Sequence, residues 1–208
     1  MSRLLRAIPF TLVLLTACNF FIPREPAVNP DPNHIHMDLA VWIEGRQVDF
    51  TNAKYMSGVS TDETSHDEED EYHHKYLHLH DGIGHVIHSH TPGLTLGEFL
   101  SSLGFRMSEE CMDLDTGIAV CPQRGYRWRM FVNGIEQPME PNHVFGDLEK
   151  ILLTYQGSDP VSELRIKEQL KEMTDDACLY SRTCPERGDP PAENCLADPE
   201  VPCVAPVE

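Results

Sequence analysis

Tyr76 to Phe105, YLHLHDGIGHVIHSHTPGLTLGEFLSSLGF, holds five of the chain's eleven histidines and decides the fold. It reads as a β-hairpin followed by a short helix. His78 and His80 are two apart, as are His88 and His90, and residues two apart on a strand share a face. Whether the two pairs meet depends on parity. An odd number of loop residues puts all four imidazoles on one face, and an even number separates them. Asp81 to His85 form the candidate loop, with Gly82 and Gly84 able to take the positive φ values that such loops use. Under this odd register His78 faces His88, His80 faces Val86 and Tyr76 faces His90. Leu77, Leu79 and Ile87 then share the opposite, apolar face. A two-residue turn at Gly82-Ile83 would pair His80 with His85 and mix the two sets, so the clean separation selects the odd loop.

Directly opposed side chains sit about 5 Å apart at Cβ, a spacing that suits imidazoles converging on one ion at Zn–N distances of about 2.0–2.1 Å. A single His-x-His on a strand is commonly no more than a polar face. Two such pairs bracketing a glycine-rich turn point instead to metal binding, with His78, His80, His88 and His90 as ligands and His85 as a loop residue.

Beyond the hairpin, Thr95 is placed to cap a helix and Glu98 to complete a capping box. Leu96, Phe99, Leu100 and Leu103 fall at helical spacing, and Gly104 ends the run. This helix lays one apolar stripe on a sheet. From Arg127, RWRMFV reads as a strand, Asn133-Gly134 as a tight hairpin turn and IEQPM as the return. Lys150 to Tyr155, KILLTY, is apolar enough for a central strand. Upstream, MDLAVWIEGRQVDF reads as two strands around Glu44-Gly45-Arg46. The expectation is an α+β domain over residues 34–157, a mixed sheet with one packed helix. A TLGEFL helix (Thr95–Leu100), a VNG hairpin (Val132–Gly134) and a late strand ending at Tyr155 together resemble the β-grasp architecture. That resemblance implies a fold and no activity.

His34 and His36 open the domain with a third His-x-His. They are either further ligands brought beside the hairpin or the polar end of an edge strand. Residues 61–74, TDETSHDEEDEYHH, hold seven acidic side chains and almost nothing apolar, and read as a solvated acidic loop.

The first eighteen residues, MSRLLRAIPFTLVLLTAC, have a basic start, an apolar centre and small residues before a cysteine, the pattern of a secretory leader. Leu15-Thr16-Ala17-Cys18 resembles the bacterial lipobox. The resemblance implies removal of the leader, lipidation of Cys18 and an extracytoplasmic protein anchored to a bacterial cell membrane. Residues 19–33, with four prolines, would be its tether. Loss of Arg3 and Arg6 with the leader takes the formal charge from −18 to −20. Nucleic acid is excluded as a partner by the want of Lys/Arg clusters.

Residues 158–208 hold a helix, VSELRIKEQLKEM, whose narrow stripe of Val161, Leu164, Ile166 and Leu170 suggests a surface helix or spacer. A Pro-rich tail follows with Cys178, Cys184, Cys195 and Cys203. Setting Cys18 aside, six cysteines remain, enough for three disulfides in an oxidising compartment. Cys111 and Cys121, either side of a Gly117 turn, would form one, and the tail would be stapled by two. No Cys-x-x-Cys occurs, which counts against a zinc ribbon and a thioredoxin-like enzyme. Taken together, the lipobox, the HxH hairpin (His78, His80, His88, His90), Thr95–Leu100 and the Cys184–Cys195 run, CPERGDPPAENC, resemble a family of His-rich bacterial lipoproteins, some labelled protein-disulfide isomerase. The resemblance carries over no settled activity.

The leading functional expectation is therefore binding of a divalent ion, Zn²⁺ or Cu²⁺, by a membrane-anchored protein. Thiol-disulfide exchange through Cys178, Cys184 and Cys195 is the alternative, beside a purely structural or interaction role. Hydrolysis at a three-histidine zinc site would need a general base, for which Asp81 and Glu98 are the near candidates in sequence; neither recommends itself, and binding is favoured over catalysis.

Overall fold

A computed structural model describes residues 27–57, 74 and 76–189. The leader with Cys18, most of the acidic stretch, Cys195 and Cys203 lie outside the described residues. No helix among the described residues is long and apolar enough to cross a membrane.

The chain runs β1 (Ile35–Ile43), β2 (Arg46–Gln47), β3 (Leu77–His78), β4 (Val86–Ser89), α1 (Leu96–Ser102), β5 (Arg106–Met107), β6 (Met112–Asp113), β7 (Ala119–Val120), β8 (Arg127–Val132), β9 (Ile135–Gln137), β10 (Lys150–Gln156), α2 (Pro160–Glu172) and α3 (Ala177–Tyr180). The main sheet has the order β3-β4-β1-β10-β8-β9, with β2 paired to β1. β1 and β10 run parallel at its centre, from Asp38 opposite Lys150 to Ile43 opposite Tyr155. Every other pairing in the main sheet is antiparallel. Two antiparallel arms around a central parallel pair, with a helix crossing between the arms, is the β-grasp arrangement expected above.

Alternation along each strand divides the sheet into two buried faces, because neighbouring side chains point opposite ways. Met37, Leu39 and Val41 of β1 and Ile151, Leu153 and Tyr155 of β10 join Leu77, Leu79 and Ile87 under α1. The helix contributes Leu96, Phe99 and Leu100, all at 0 % exposure. Its start is fixed locally. Thr95 Oγ1 accepts the Glu98 N–H at 3.3 Å, and Glu98 Oε2 accepts the Thr95 N–H at 2.8 Å. The strand sequences behave as their turns require: Asn133 and Gly134 take φ of 51° and 78°, the left-handed pair that a two-residue hairpin needs, and Val132 faces Ile135 across it. A small second sheet, β5-β6-β7, is closed by the expected Cys111–Cys121 disulfide.

The C-terminal part corrects the expectation of a surface helix or spacer. α2 packs on the reverse face of the sheet, where Ile166 meets Ala40, Phe131 and Leu152. Val161 and Leu164, counted in the apolar stripe, are more than half exposed, while Ser162 and Gln169 are buried beside Ile166. The stripe that docks is Ser162-Ile166-Gln169, spaced four and three apart, and its polar members hide it from a count of apolar residues alone. Arg129 on β8 adds ion pairs to Glu136 and Glu163, both at 2.6 Å. The chain beyond α2 continues over the same face to α3.

Candidate metal centre

The odd hairpin register is the one the chain adopts. His78 lies opposite His88 and Leu77 opposite Ser89, and the His90 N–H reaches the Tyr76 carbonyl at 2.8 Å; the parity is the expected one, but the pairing stops at His78, because Leu79 bridges Met56 instead, and the connection runs from Leu79 to His85. Gly82 supplies a positive φ of 71°. Gly84 has a different role from the one expected: a Cβ there would sit 2.5 Å from the carbonyl carbon of Phe50 and 2.7 Å from the Thr51 nitrogen. Only a residue without a side chain lets the loop lie against that backbone.

β1 then brings in the third His-x-His. It pairs with β4 so that His36 faces His88, and three imidazoles from β1, β4 and β3 form a row across the sheet. Ring centroids are 4.7 Å apart for His36 and His88 and 6.0 Å for His78 and His88. His34 stacks on His90 at 4.0 Å, and His80 approaches His88 at 4.0 Å. All six rings occupy the face opposite α1. His36, His88 and His90 are 1 % exposed, His78 2 % and His80 9 %.

Within this group the ligand nitrogens of His34, His36 and His88 all lie within 4.8 Å of one another, the one such set among the described residues. Tetrahedral zinc with Zn–N of about 2.0–2.1 Å holds its nitrogens about 3.3–3.4 Å apart, and the Nε2 atoms of His34 and His36 are 3.1 Å apart. The compact set therefore draws one ligand from the hairpin and two from β1. The hairpin quartet His78, His80, His88 and His90 shares a face, but among the described residues only His88 of the four belongs to the compact set. His85, as expected, is a loop residue and bonds Asp176 at 2.9 Å.

Two carboxylates orient the rings. Ser181 Oγ lies 2.6 Å from Asp147 Oδ1 and 2.8 Å from His36 Nδ1. The single hydroxyl proton goes to the carboxylate, so the oxygen accepts from His36 Nδ1–H, and the lone pair of His36 sits on Nε2, toward His34. His80 Nδ1 donates to Asp81 Oδ2 at 2.7 Å and directs its Nε2 to His88 Nδ1 at 3.3 Å. An imidazole backed by a carboxylate, directly or through a hydroxyl, is the arrangement that fixes the tautomer of metal-binding histidines. Burial, followed by the neighbouring imidazoles, pushes His78 and His88 well below the usual imidazole range. Both therefore stay neutral and keep a lone pair for a cation.

The residues that close the site were not foreseen. Tyr180 of α3 packs its ring edge-on to His88, with centroids 4.8 Å apart, and 5.5 Å from His36. Asp38, two residues from His36 on β1, receives the Thr174 hydroxyl and the Asp176 and Ala177 N–H groups, which pins the start of α3. Desolvation raises the Asp38 carboxyl pKa against those hydrogen bonds. The sole signal in sequence was CLYSRTC, a Tyr-Ser pair inside a short cysteine loop, and Cys178 and Cys184 do bridge each other. Of the two candidate bases, Asp81 bonds His80 at the edge of the site, and Glu98 sits in the capping box of α1 across the sheet. No family model, curated protein or solved structure matches this chain.

Proposed function

We propose that this chain is an extracytoplasmic, lipid-anchored binding protein for a divalent ion of the Zn²⁺ or Cu²⁺ type. His34, His36 and His88 are the ligands, and His78, His80 and His90 surround them as further imidazole donors. The observation that carries the reading is the convergence of His34, His36 and His88 on one buried face, with His36 oriented by Ser181 and Asp147. An all-nitrogen donor set favours Zn²⁺ or Cu²⁺ over Mg²⁺ or Ca²⁺, which take oxygen ligands. Sequestration or delivery fits a site roofed by Tyr180 better than hydrolysis, which needs an open water position and a base. The lipid anchor rests on the Leu15-Thr16-Ala17-Cys18 sequence, and a high acidic charge raises the local concentration of cations near such a surface.

The test is metal content and titration calorimetry on the chain produced without its leader. One Zn²⁺ or Cu²⁺ per chain at neutral pH is expected, abolished in a His34→Ala, His36→Ala, His88→Ala triple variant and weakened by His78→Ala or His80→Ala. Full stoichiometric binding in the triple variant would overturn the assignment.

A further inference from the structure

The Cys178–Cys184 disulfide encloses the two residues that roof the imidazole face. Tyr180 and Ser181 lie within this short loop and are 6 % and 1 % exposed against the histidines. α3 is four residues long, too short to hold its shape alone. Its beginning is tied down by Asp38 and by the His85–Asp176 pair. Its far end is held by the Ser181 hydrogen bonds to Asp147 and His36 and, covalently, by the bridge to Cys184. Opening that bridge would leave the start of the segment anchored and the Ser181 hydrogen bonds to keep Tyr180 and Ser181 on the histidines.

The surroundings of the bridge suit exchange with an incoming thiolate. A cleft of about 410 Å³ reaches Cys184 between Leu179, Arg182, Pro185, Gly188 and Asp189. On the other side, the Arg187 guanidinium lies 3.4 Å from Cys178 Sγ, held there by Asp175 and Asp176 at 2.6 Å each. A cation beside one sulfur favours its departure as thiolate.

We infer that the Cys178–Cys184 disulfide is a redox latch on the histidine site, opened by a dithiol reductant. A reductant thiolate attacks Cys184 Sγ, a mixed disulfide forms, and the Cys178–Cys184 bond breaks with its electron pair on Cys178 Sγ beside Arg187. The second thiol of the reductant resolves the mixed disulfide, leaving two protonated or thiolate cysteines and an oxidised, internally bridged reductant. The imidazole face is closed while the bridge is intact and open once it is reduced. As a control on metal, this inference rests on the binding proposed above, but the latch itself is measurable without any ion.

The experiment uses the metal-free chain with the Cys111–Cys121 and Cys178–Cys184 bridges formed. Brief exposure to dithiothreitol, quenching with an alkylating agent and peptide mass spectrometry should show Cys178 and Cys184 labelled before Cys111 and Cys121, with the opening slowed in Arg187→Gln. Carbethoxylation of His36 and His88 is then timed in the bridged form, the reduced form and a Cys178→Ser, Cys184→Ser variant. The expected acceleration on opening is on the order of tenfold or more, from the loop-closure constraint a short ring imposes. Should the double variant fail to fold, as judged by its melting curve, the reduced parent supplies the comparison. Equal carbethoxylation rates in bridged and open forms would overturn the latch, as would prior opening of Cys111–Cys121. If the bridged chain takes up no Zn²⁺ or Cu²⁺ but the carbethoxylation rates still respond, the metal reading fails and the latch stands.

Discussion

Ser181→Ala separates a metal site from a merely polar cluster. Ser181 is 1 % exposed, and its hydroxyl joins His36 Nδ1, at 2.8 Å, to Asp147, at 2.6 Å. Without it the imidazole loses the acceptor that holds its proton on Nδ1. The tautomer with the proton on Nε2, the atom facing His34, then becomes accessible, and that atom can no longer serve as a ligand until the proton moves. Loss of such a supporting group typically costs 10- to 100-fold in metal affinity, which is about 1.4–2.8 kcal/mol. The metal-free fold should also lose about 1–3 kcal/mol, because the buried hydrogen bonds of the Ser181 hydroxyl to Asp147 and His36 are removed together. Chelator-competition titration reads the affinity, nitrogen NMR of the imidazoles reads the tautomer, and thermal melting reads the fold. An affinity within twofold of the parent, alongside the expected drop in melting temperature, would refute the argument that Ser181 orients a ligand and reduce it to a packing contact.

Because burial lowers the pKa of His78 and His88 in the fold, the unfolded chain takes up more protons as pH drops below about 6.5. The metal-free protein should then lose stability toward acid, by at most about 1.4 kcal/mol per pH unit for each imidazole, and keep its full stability above that range. Melting curves between pH 5 and 8 check this, and a flat profile speaks against neutral buried imidazoles. Gly84→Ala drives a Cβ into the Phe50 backbone and should cost about 1–3 kcal/mol; denaturant unfolding with no change in midpoint would show that the loop shifts freely. Thr95→Ala removes the cap of α1 at a cost of about 1 kcal/mol, yet should leave metal affinity unchanged, since α1 lies on the other face. A parallel fall in affinity would mean that the two faces are coupled.

Much of the fold was legible because its determinants are local. Thr95 and Glu98 cap a helix from three residues apart, Asn133-Gly134 sets its own turn, and the parity of Asp81 to His85 places His78 opposite His88. Each of these follows from backbone geometry over a few residues, and the alternation of Leu77, Leu79 and Ile87 with imidazoles already says which face is core. The division of the cysteines was partly readable in the same way, with Cys111 and Cys121 bracketing a turn.

The composition of the site was not local. Whether His34 and His36 are ligands or an edge depended on which strand lies beside β4, and that partner, β1, pairs directly with β4 on one side and with the distant strand β10 on the other. Period-two alternation is equally satisfied whichever strand sits alongside. The roof was still less visible. Tyr180 and Ser181 reach the histidines because Asp38 caps α3 through Thr174, Asp176 and Ala177, a contact between residues some 138 positions apart in the chain. The amino-acid sequence by itself determined that imidazoles would gather on one face of a sheet. Only the tertiary structure decided which of them converge and what covers them, because those depend on strand order and on long-range docking, which no short-range pattern encodes.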